Sequence, residues 1–496
     1  AALLADGIAG ADLVPRYMFY LAQSLRQMGQ YRQALPWYEA RVQLGGWIEE
    51  QWYAQYMVAV CLEKLGDPAC IEAAAKATSI LPHRAEAWMF LATHHRNIGA
   101  HEVAMHYARS AANVDRGKHS SLFVSPASST WQPWQEIGIC AFYTGEFEEG
   151  RNALHDLLLF PETGSAAKAL ARRNLEHYVL PLREYVPSAQ FTEVDCGGAD
   201  ETHRQLNPSI LIRADGERMM AVRSVNYEIS TRRPSSYRIL DNSAGIRTRN
   251  YLVRWRGEYR PSPGVLLKEQ TPEPPYPSQQ VAGFEDLRLF QWQSGLWATA
   301  TSREYRPEGL CEQVLLKLSS DSIDACVPLT NPWEARHQKN WTPGVDDDGT
   351  LYLLYSFQPL RVLKVDPVSL QTSVHVDATR IAVGAEDWRG SSQMVRLDDG
   401  WLCCIHEHAD YEDRPRRYYH RFVHLDEGFV VRRCSPLMTL RELGVEFCCG
   451  LAIENEDLYL TFGHWDRQAY LMQADLQQVR QILQPPRVVE SAHQVG

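Results

Sequence analysis

The sequence predicts a multidomain protein in which α-helical repeats are followed by an all-β domain. Three observations support this prediction. The chain has 496 residues, more than the ~250 to 300 residues that one hydrophobic core usually serves. Its apolar residues recur with a helical period first and in short β-runs afterwards, and turn residues recur at regular intervals in both parts. The predicted boundaries are 1–185 for the repeats, 186–206 for a linker and 207–485 for the all-β domain.

The composition excludes several functional classes. With 45% hydrophobic and 22% charged residues, the chain is typical of globular proteins and not of disordered ones. A net charge of −11 argues against binding to nucleic acid or to an anionic membrane. The sequence has neither a membrane-length apolar run nor a signal peptide, so we expect a cytoplasmic protein. Eleven cysteines without a Cys-x-x-Cys motif predict buried free thiols, and no metal or other cofactor is predicted.

In the helical part, four glycines mark turns between paired helices. Gly29, Gly66, Gly99 and Gly145 stand 37, 33 and 46 residues apart, close to the ~34-residue period of tetratricopeptide repeats. About four helical hairpins are expected, and the longest interval is predicted to hold a loop at 118–135, where Ser, Pro and Trp interrupt the helical pattern. Because such solenoids usually bind proteins or orient a neighbouring domain, a protein partner is a hypothesis for this part.

In the β part, polar clusters recur at the beginnings of strands. Strand-like runs such as 351–356, 401–406 and 458–462 are separated by Gly, Pro, Asn and Asp. The five clusters lie at 207–209, 283–286, 339–341, 389–392 and 446–450. One cluster per ~50 to 60 residues fits one four-stranded blade each, which predicts a five-bladed β-propeller. The innermost strands of a propeller converge on its axis, so the five clusters should line one funnel.

The most informative cluster is Gly-Phe-Glu-Asp-Leu-Arg at 283–288. Successive strand residues face opposite sides, and we expect Glu285 and Arg288 on one side of a strand and Asp286 on the other. A carboxylate at the mouth of a funnel could act as a general acid. Taken alone, however, the motif is equally compatible with an Asp/Arg pair on the surface.

Two further clusters bring cationic and aromatic residues together. Lys339, Asn340 and Trp341 could hold an anion and a sugar ring, or could form the polar end of a blade with a core tryptophan. His-Glu-His at 406–408 ends one strand, and Arg-Arg-Tyr-Tyr-His-Arg at 416–421 opens the next. Because His-x-His has no third ligand at a fixed spacing, a set of His, Lys and Arg around an anion is favoured over a metal site.

An ordered series of motifs in the β part resembles the glycoside hydrolase family 130 clan of five-bladed propellers. This clan contains β-mannoside phosphorylases and hydrolases and the related β-1,2-mannosyltransferases. The matching pieces are Asn207-Pro208-Ser209, Asp215-Gly216, Arg223, Gly283-x-Glu285-Asp286-x-Arg288, Lys339-Asn340, Gly400-Trp401-Leu402 leading to His406, Tyr419, and Gly450 followed by Gly463 and Asp466. They occur in the family's order across about 260 residues.

The resemblance implies a role for individual residues. Asp286 would be the general acid acting on the glycosidic oxygen. Arg223, Lys339 and His406 would line the phosphate or donor-anion pocket, and Tyr419 and Asp466 would contact the sugar. The full predicted substrate-binding set is Asn207, Arg223, Glu285, Arg288, Lys339, Asn340, Trp341, His406, Tyr419 and Asp466. The chain departs from the family at Leu287, where Pro is usual, and the cluster at 389–392 has no clear counterpart.

The helical part is similar to the tetratricopeptide tail that follows the catalytic domain of bacterial family 2 glycosyltransferases. The similarity rests on 16–24, on Trp37-Tyr38-Glu39 and on the run Gly-Gly-Trp-x-Glu-Glu at 45–50. Because the sequence begins at Ala1, immediately before this tail, we expect that a glycosyltransferase domain could precede it in a longer protein.

Together these features favour inverting glycosyl transfer, with a mannosyl group passing from a sugar phosphate or nucleotide sugar to a glycan acceptor. Asp286 would exchange a proton with the acceptor oxygen, while cations hold the leaving anion. The alternatives are a β-mannoside phosphorylase, a hydrolase that uses Glu407 or Glu446 as a second carboxylate, and a non-catalytic glycan-binding or scaffold protein.

Overall fold

The computed structural model describes residues 14–115, 118, 120–160, 162–197, 201–233, 236–278, 280–333, 336–378, 385, 387–410 and 415–485. The chain forms two compact units and passes from the first to the second between Tyr178 and Val179. The first unit is helical, and the second is built from β-sheets. The predicted order, helices followed by sheets, is confirmed.

The described helices of the first unit pack mainly as sequential neighbours. They are α1 (Val14–Gln27), α2 (Tyr31–Gln43), α3 (Ile48–Lys64), α4 (Cys70–Ile80), α5 (Ala85–Asn97), α6 (His101–Ala112), α7 (Pro126–Ser129), α8 (Gln132–Thr144), α9 (Phe147–Leu159) and α10 (Ser165–Leu175). All four predicted turn glycines have positive φ angles, between 71° and 79°, which glycine adopts without a steric penalty. Alanines such as Ala22, Ala34 and Ala59 are fully buried and let the helices approach closely.

The predicted loop at 118–135 is too long. Helix α7 lies within it, and α8 already begins at Gln132, with Pro133 in its first turn. The helix tolerates proline there because the first-turn N–H groups have no partner within the helix.

The second unit begins with two short elements, β1 (Leu180–Pro181) and α11 (Leu182–Tyr185), and ends with α12 (Leu476–Ile482). The remaining strands are β2 (Gln190–Val194), β3 (Arg204–Ile212), β4 (Arg218–Val225), β5 (Tyr227–Ile229), β6 (Tyr237–Ile239), β7 (Ile246–Trp255), β8 (Val265–Leu266), β9 (Lys268–Glu269), β10 (Val281–Ala282), β11 (Glu285–Trp292), β12 (Gly295–Ser302), β13 (Glu312–Leu318), β14 (Ser322–Pro328), β15 (Thr342–Val345), β16 (Leu351–Phe357), β17 (Leu360–Val365), β18 (Thr372–Ala378), β19 (Arg389–Gly390), β20 (Val395–Leu397), β21 (Gly400–Ala409), β22 (Arg417–Asp426), β23 (Val431–Cys434), β24 (Met438–Thr439), β25 (Glu446–Glu454), β26 (Asp457–His464) and β27 (Gln468–Asp475).

The described strands form five sheets of at least four strands, and β5 and β6 form a small sixth sheet. Sheet 1 contains β3, β4, β7, β8 and β10, and sheet 2 contains β9 and β11 to β14. Sheet 3 contains β15 to β18, sheet 4 contains β1 and β19 to β24, and sheet 5 contains β2 and β25 to β27. Sequential strands pair antiparallel in most of each sheet, as in a propeller blade.

The sheets follow one another around an axis. Strand β3 contacts β11 and β25, β11 contacts β15, β16 contacts β19, and β21 contacts β25. This circuit returns to its starting sheet, so the arrangement is propeller-like. Strand β2 pairs antiparallel with β27 although it lies in the segment predicted as a linker. The segment is therefore structured, because an early strand completes the last sheet and removes an open edge.

Hydrogen bonds between sheets hold the strands close at the axis. The Ser209 hydroxyl accepts a bond from the Leu289 N–H (2.9 Å), and the Gln393 amide donates to the Ile210 carbonyl (2.6 Å). The carbonyl of the same Gln393 side chain accepts from the Leu451 N–H (3.1 Å). Because every partner is buried, these bonds replace contacts with water and fix the sheets relative to one another.

We expect Gly390→Ala to destabilise the second unit by about 2 kcal/mol, as overpacking does in a filled core. A methyl group on Gly390 would overlap with the Asn340 carbonyl oxygen and the Thr342 hydroxyl. Thermal unfolding would measure the effect. Gly164→Ala is the control, because nothing lies within 4 Å of the added methyl group. Equal melting temperatures for the two variants would contradict this account of the axis.

Candidate functional site

The predicted polar clusters meet on one face of the second unit, which we call the site face. Strands β11 and β25 begin at this face, and strands β4, β21 and β26 end there. Glu285 at the beginning of β11 pairs with Thr301 of β12, and Glu446 at the beginning of β25 pairs with His464 of β26. His406 lies near the end of β21 and is paired with His420 near the beginning of β22. Strand direction therefore brings residues that are far apart in sequence to one region.

Breaks in strand regularity aim the side chains at the centre of this face. The register shifts between Leu206 and Ser209 in β3 and between Glu285 and Arg288 in β11. At these breaks Asn207 and Asp286 have positive φ angles, 45° and 54°, which bulges commonly require. The expectation for Glu285 and Arg288 is wrong, because residues three apart face opposite sides of a regular strand. The bulge also turns Glu285 and Asp286 towards the same arginine, Arg223, while Arg288 bonds to other partners.

The two neighbouring carboxylates share Arg223. One Asp286 oxygen accepts hydrogen bonds from the Asn207 amide (2.8 Å) and the Arg223 guanidinium (2.9 Å). The other end of the guanidinium donates to Glu285 (2.9 Å). Burial alone would raise the pKa of Asp286, but the Arg223 charge and the Asn207 hydrogen bond hold that pKa below its usual value. Asp286 is therefore ionised at neutral pH. Arg223 was expected in an anion pocket, and it instead neutralises protein carboxylates.

A third carboxyl group, Asp466, lies near the same arginine. The Tyr227 hydroxyl donates a hydrogen bond to Asp466 (2.9 Å). Burial raises the pKa of Asp466, and the charge of Arg223 only partly offsets this effect. The site thus holds two aspartates whose pKa values shift in opposite directions, a pattern typical of acid and base pairs. Tyr227 was missed in the sequence, because nothing in its local pattern indicates a partner 239 residues away.

Arg288 lies in the protein interior beneath the site face and holds neighbouring groups of the site by hydrogen bonds. It is fully buried and donates to the Asp286 carbonyl (3.3 Å), to the Asn340 side chain (3.3 Å) and to the Ser391 carbonyl. The planar guanidinium suits this role because it donates in several fixed directions. Arg288 was predicted to contact the substrate, but it instead stabilises the protein structure. The side-chain oxygen of Asn340 accepts a hydrogen bond from Arg288.

His406 is held in a neutral state. Its Nδ1 atom lies 2.7 Å from the Ser391 hydroxyl, and its ring contacts Tyr418 and Phe447, at 5.4 and 5.1 Å between ring centroids. Burial, together with the charges of nearby cations, lowers the pKa of His406 well below its usual value. The expected cationic role of His406 is thus corrected: it can offer a hydrogen bond to an anion, but not a full positive charge.

Several cationic side chains surround His406. Lys339 is exposed and makes no ion pair with any described residue, and its charge acts on both His406 and His408. Arg416 lies 3.4 Å from the Tyr418 hydroxyl and pairs with Asp410. His406, Lys339 and Arg416 therefore lie in one region around Tyr418, whereas Arg223, the arginine expected in this set, pairs with the carboxylates.

Two predicted aromatic contacts are wrong. Trp341 is 1% exposed and packs in a core with Trp292 and Tyr355, so its ring cannot stack on a sugar. Tyr419 is fully buried, whereas the preceding Tyr418 is only half-buried and contacts His406. Alternation along β22 directs one tyrosine to the core and the other to the site, and the motif match had selected the wrong one.

The two glutamates considered for water activation are engaged elsewhere. Glu407 is buried and forms an ion pair with buried Arg421 (3.0 Å). Glu446 is fully buried and accepts bonds from the backbone N–H groups of Leu440, Arg441 and Glu442. Burial raises the pKa of Glu446 to about 7 despite these bonds. Neither carboxylate is exposed on the site face to orient a water molecule.

The described residues include no group of three or more His, Cys, Asp or Glu side chains that could hold a metal ion. All eleven cysteines are free, and ten of them are buried, as predicted. None of the described helices has the length and apolarity needed to cross a membrane.

Comparison with known proteins gives matches among solved structures. No protein-family model and no curated protein matches the chain. The β-1,2-mannobiose phosphorylase of Listeria innocua matches at 13% identity, covering 59% of this chain and 92% of that one, with a TM-score of 0.37. A structure from a study of the GH130 family of mannoside phosphorylases, whose hydrolases target β-1,2 mannosidic linkages in Candida mannan, matches at 11% identity, 56% and 86% coverage and a TM-score of 0.37.

A third match has helical repeats. A kinesin light chain from Podospora anserina with TPR-like repeats matches at 17% identity, covering 33% of this chain and 85% of that one, with a TM-score of 0.26. Family 130 propellers and TPR-like repeats, the two kinds of fold that the sequence resembles, are thus both among the matches. At such low identity they concern the fold and not the reaction.

Proposed function

We propose that the site face catalyses the transfer of a mannosyl group from a sugar phosphate or nucleotide sugar to a glycan acceptor, with inversion. The observation that carries this proposal is the ionised Asp286 carboxylate, held by Asn207 and Arg223 at the centre of the face. Lys339 and Arg416 supply positive charge near His406 and Tyr418, where an anionic leaving group would be stabilised.

In this mechanism the acceptor hydroxyl loses its proton to Asp286 as its oxygen bonds to the anomeric carbon. The bond from that carbon to the phosphate oxygen breaks, and the electron pair leaves with the phosphate towards Lys339 and Arg416. His406, with Nδ1 held by Ser391, directs its second ring nitrogen to the anion. A single displacement inverts the anomeric carbon, and the reverse reaction is phosphorolysis, in which Asp286 returns the proton.

The charge state of the free site matches the starting state for transfer. An ionised Asp286 is ready to act as a base, whereas phosphorolysis requires its protonated form. Hydrolysis requires a second carboxylate to activate water; Glu407 and Glu446 are engaged in the protein interior, which leaves Asp466 as the carboxyl group that a hydrolase would use. A β-mannoside phosphorylase is the second candidate function, because it uses the same anion pocket in the opposite direction.

The architecture that we propose for this function is a five-bladed propeller behind tetratricopeptide-like repeats. The five sheets of four or more strands support one blade each. The positive φ angles of the four turn glycines support paired helical repeats, and the repeats would bind a protein partner.

The donor can be identified by incubating the chain with a β-mannooligosaccharide and either mannose 1-phosphate or a nucleotide-mannose. Release of phosphate or nucleotide together with a lengthened glycan supports transfer and identifies the donor. Shortening of the glycan in the presence of phosphate alone would favour phosphorolysis. If neither reaction occurs while the glycan binds, a binding module replaces the enzyme.

We expect Tyr418→Phe to weaken donor use by about tenfold, the effect of losing one hydrogen bond to a charged group. The Tyr418 hydroxyl bonds Arg416 and faces the carboxylates, so its removal should raise KM for the donor. Tyr419→Phe is the matched control, because its ring lies in the core. Steady-state kinetics at varied donor concentration would measure both variants. A larger effect of Tyr419→Phe on KM would contradict the placement of Tyr418 in the site.

A further inference from the structure

A second concave region lies on the second unit, away from the carboxylates. It is a cavity of about 820 Å³, within the ~300 to 1,000 Å³ of most small-molecule sites. Its lining includes Tyr305, Arg306, Glu312, Asn331, Trp333 and Gln338. None of these residues takes part in the proposed reaction.

Strand register places this cavity on the site face. Glu285 pairs with Thr301, and the adjacent Ser302 pairs with Glu312, so the beginning of β13 lies level with the beginning of β11. Val314 pairs with Pro328, at the end of β14. The cavity is bounded by Glu312, Pro328 and the loops next to them, so it lies outward from Asp286 on the same side of the ring.

The cavity is also connected to the candidate site through Cys311 and Lys339. The Gln338 N–H donates to the Cys311 carbonyl (2.9 Å), and Gln338 directly precedes Lys339. Burial raises the pKa of the Cys311 thiol, and the charges of Lys339, Glu285 and Asp286 also act on it. Cys311 therefore lies within electrostatic reach of both the carboxylates and the cavity wall.

The lining combines groups that bind sugars. Arg306 and Glu312 lie 3.8 Å apart as a partly exposed pair, offering donors and acceptors to hydroxyl groups. Tyr305 and Trp333 present aromatic surface, which packs against the C–H faces of sugar rings. Asn331 and the buried Gln338 add amide groups. The lining carries two arginines, Arg306 and Arg336, and one glutamate, Glu312. A hydroxyl-rich ligand with little or no negative charge fits this mixture better than a hydrocarbon or a polyanion.

We propose that this cavity binds the acceptor glycan at sugar rings distal to the reacting one, so that the substrate is an oligosaccharide longer than a disaccharide. This inference rests on the proposed function, in which the reacting sugar of the acceptor glycan lies at Asp286. The cavity would then bind the other end of the same glycan.

The second unit offers an internal control. Another cavity, of about 630 Å³, is lined by Asp398, Asp426 and Arg432. It lies at the turns between β20 and β21 and between β22 and β23, at the end of β21 away from His406. Because this cavity is on the opposite face, Arg432→Ala removes an arginine beside a carboxylate without touching the proposed glycan path.

The test is calorimetric titration of the full chain with β-mannooligosaccharides of two, four and six sugars. The wild type should bind the four-sugar chain at least about tenfold more tightly than the disaccharide, as hydrogen bonds to charged groups allow. Arg306→Ala and Glu312→Gln should each reduce this ratio towards one, while disaccharide affinity is unchanged. Arg432→Ala should keep the ratio.

The outcomes separate the two proposals. If the disaccharide binds and length has no effect, or if both cavity variants keep the ratio, the subsite is overturned and the proposed function stands. If no oligosaccharide binds at any length, the proposed function is overturned together with the subsite. Glu312→Gln is close in shape to the wild type, so it keeps the test valid if Arg306→Ala fails to fold.

Discussion

Asp286→Asn should lower turnover by about 10²- to 10⁴-fold, the usual contribution of a positioned general acid or base. The amide keeps the shape of the side chain and can still face Asn207 and Arg223, but it cannot accept a proton at neutral pH. Glycan binding should therefore change by less than a few-fold. Initial rates of phosphate or nucleotide release would measure turnover, and calorimetric titration would measure binding.

The matched control for this variant is Asp321→Asn. Asp321 is an exposed residue that pairs with Lys268 (3.1 Å) in sheet 2, so its charge is removed from the same unit without affecting the site. Its activity should equal that of the wild type. Full activity of Asp286→Asn would remove Asp286 from the mechanism, and Asp466, with its raised pKa, would then be the next carboxyl group to replace.

Arg223→Met should reduce the free energy of unfolding of the second unit by about 3 to 5 kcal/mol at neutral pH, as expected when one partner of a buried ion pair is removed. Arg223 is 5% exposed and neutralises two carboxylates whose side chains are 18 to 19% exposed. Methionine fills most of the volume but removes the cation that Glu285 and Asp286 share, so that Arg303, 3.8 Å from Glu285, is the ion-pair partner left to Glu285. Urea unfolding at several pH values would measure the effect.

The destabilisation should depend on pH in a defined direction. In the wild type, the folded-state pKa of Asp286 is lowered, so this carboxylate stabilises the protein above its unfolded-state pKa, and the contribution is lost as pH falls through the folded-state value. In the variant, burial without Arg223 should raise the same pKa. The difference between the two proteins should therefore be largest near neutral pH and should shrink as pH falls towards ~4.

Arg256→Met provides the control for this prediction. Arg256 pairs with Asp215 at 2.9 Å, but both side chains are more than half exposed, and exposed pairs contribute little. Its loss should change stability by less than about 1 kcal/mol. An Arg223→Met protein as stable as this control, or a stability difference that grows in acid, would contradict the ion-pair account of the site.

Much of the architecture could be predicted from local sequence patterns. The helical period, the four turn glycines and the recurrence of polar clusters depend on residues close together in sequence. The change from helices to sheets was therefore predicted correctly. The same reasoning brings Asn207 to Asp286, whose side chains are hydrogen-bonded at 2.8 Å, because strand direction brings the beginnings and ends of antiparallel strands to one face.

The role of each side chain depended on tertiary structure. The bulge at Asp286 breaks the alternation of a regular strand, so that the neighbours Glu285 and Asp286 both reach Arg223. A one-residue difference separates Tyr418 in the site from Tyr419 in the core. Arg223 and Arg288 look alike in sequence, yet one neutralises carboxylates and the other is buried among carbonyl groups. Sequence patterns indicate which residues reach the axis. The direction, burial and charge of each side chain are decided by backbone irregularities and by partners more than 60 residues away. These partners lie on sheets that meet only in the folded protein.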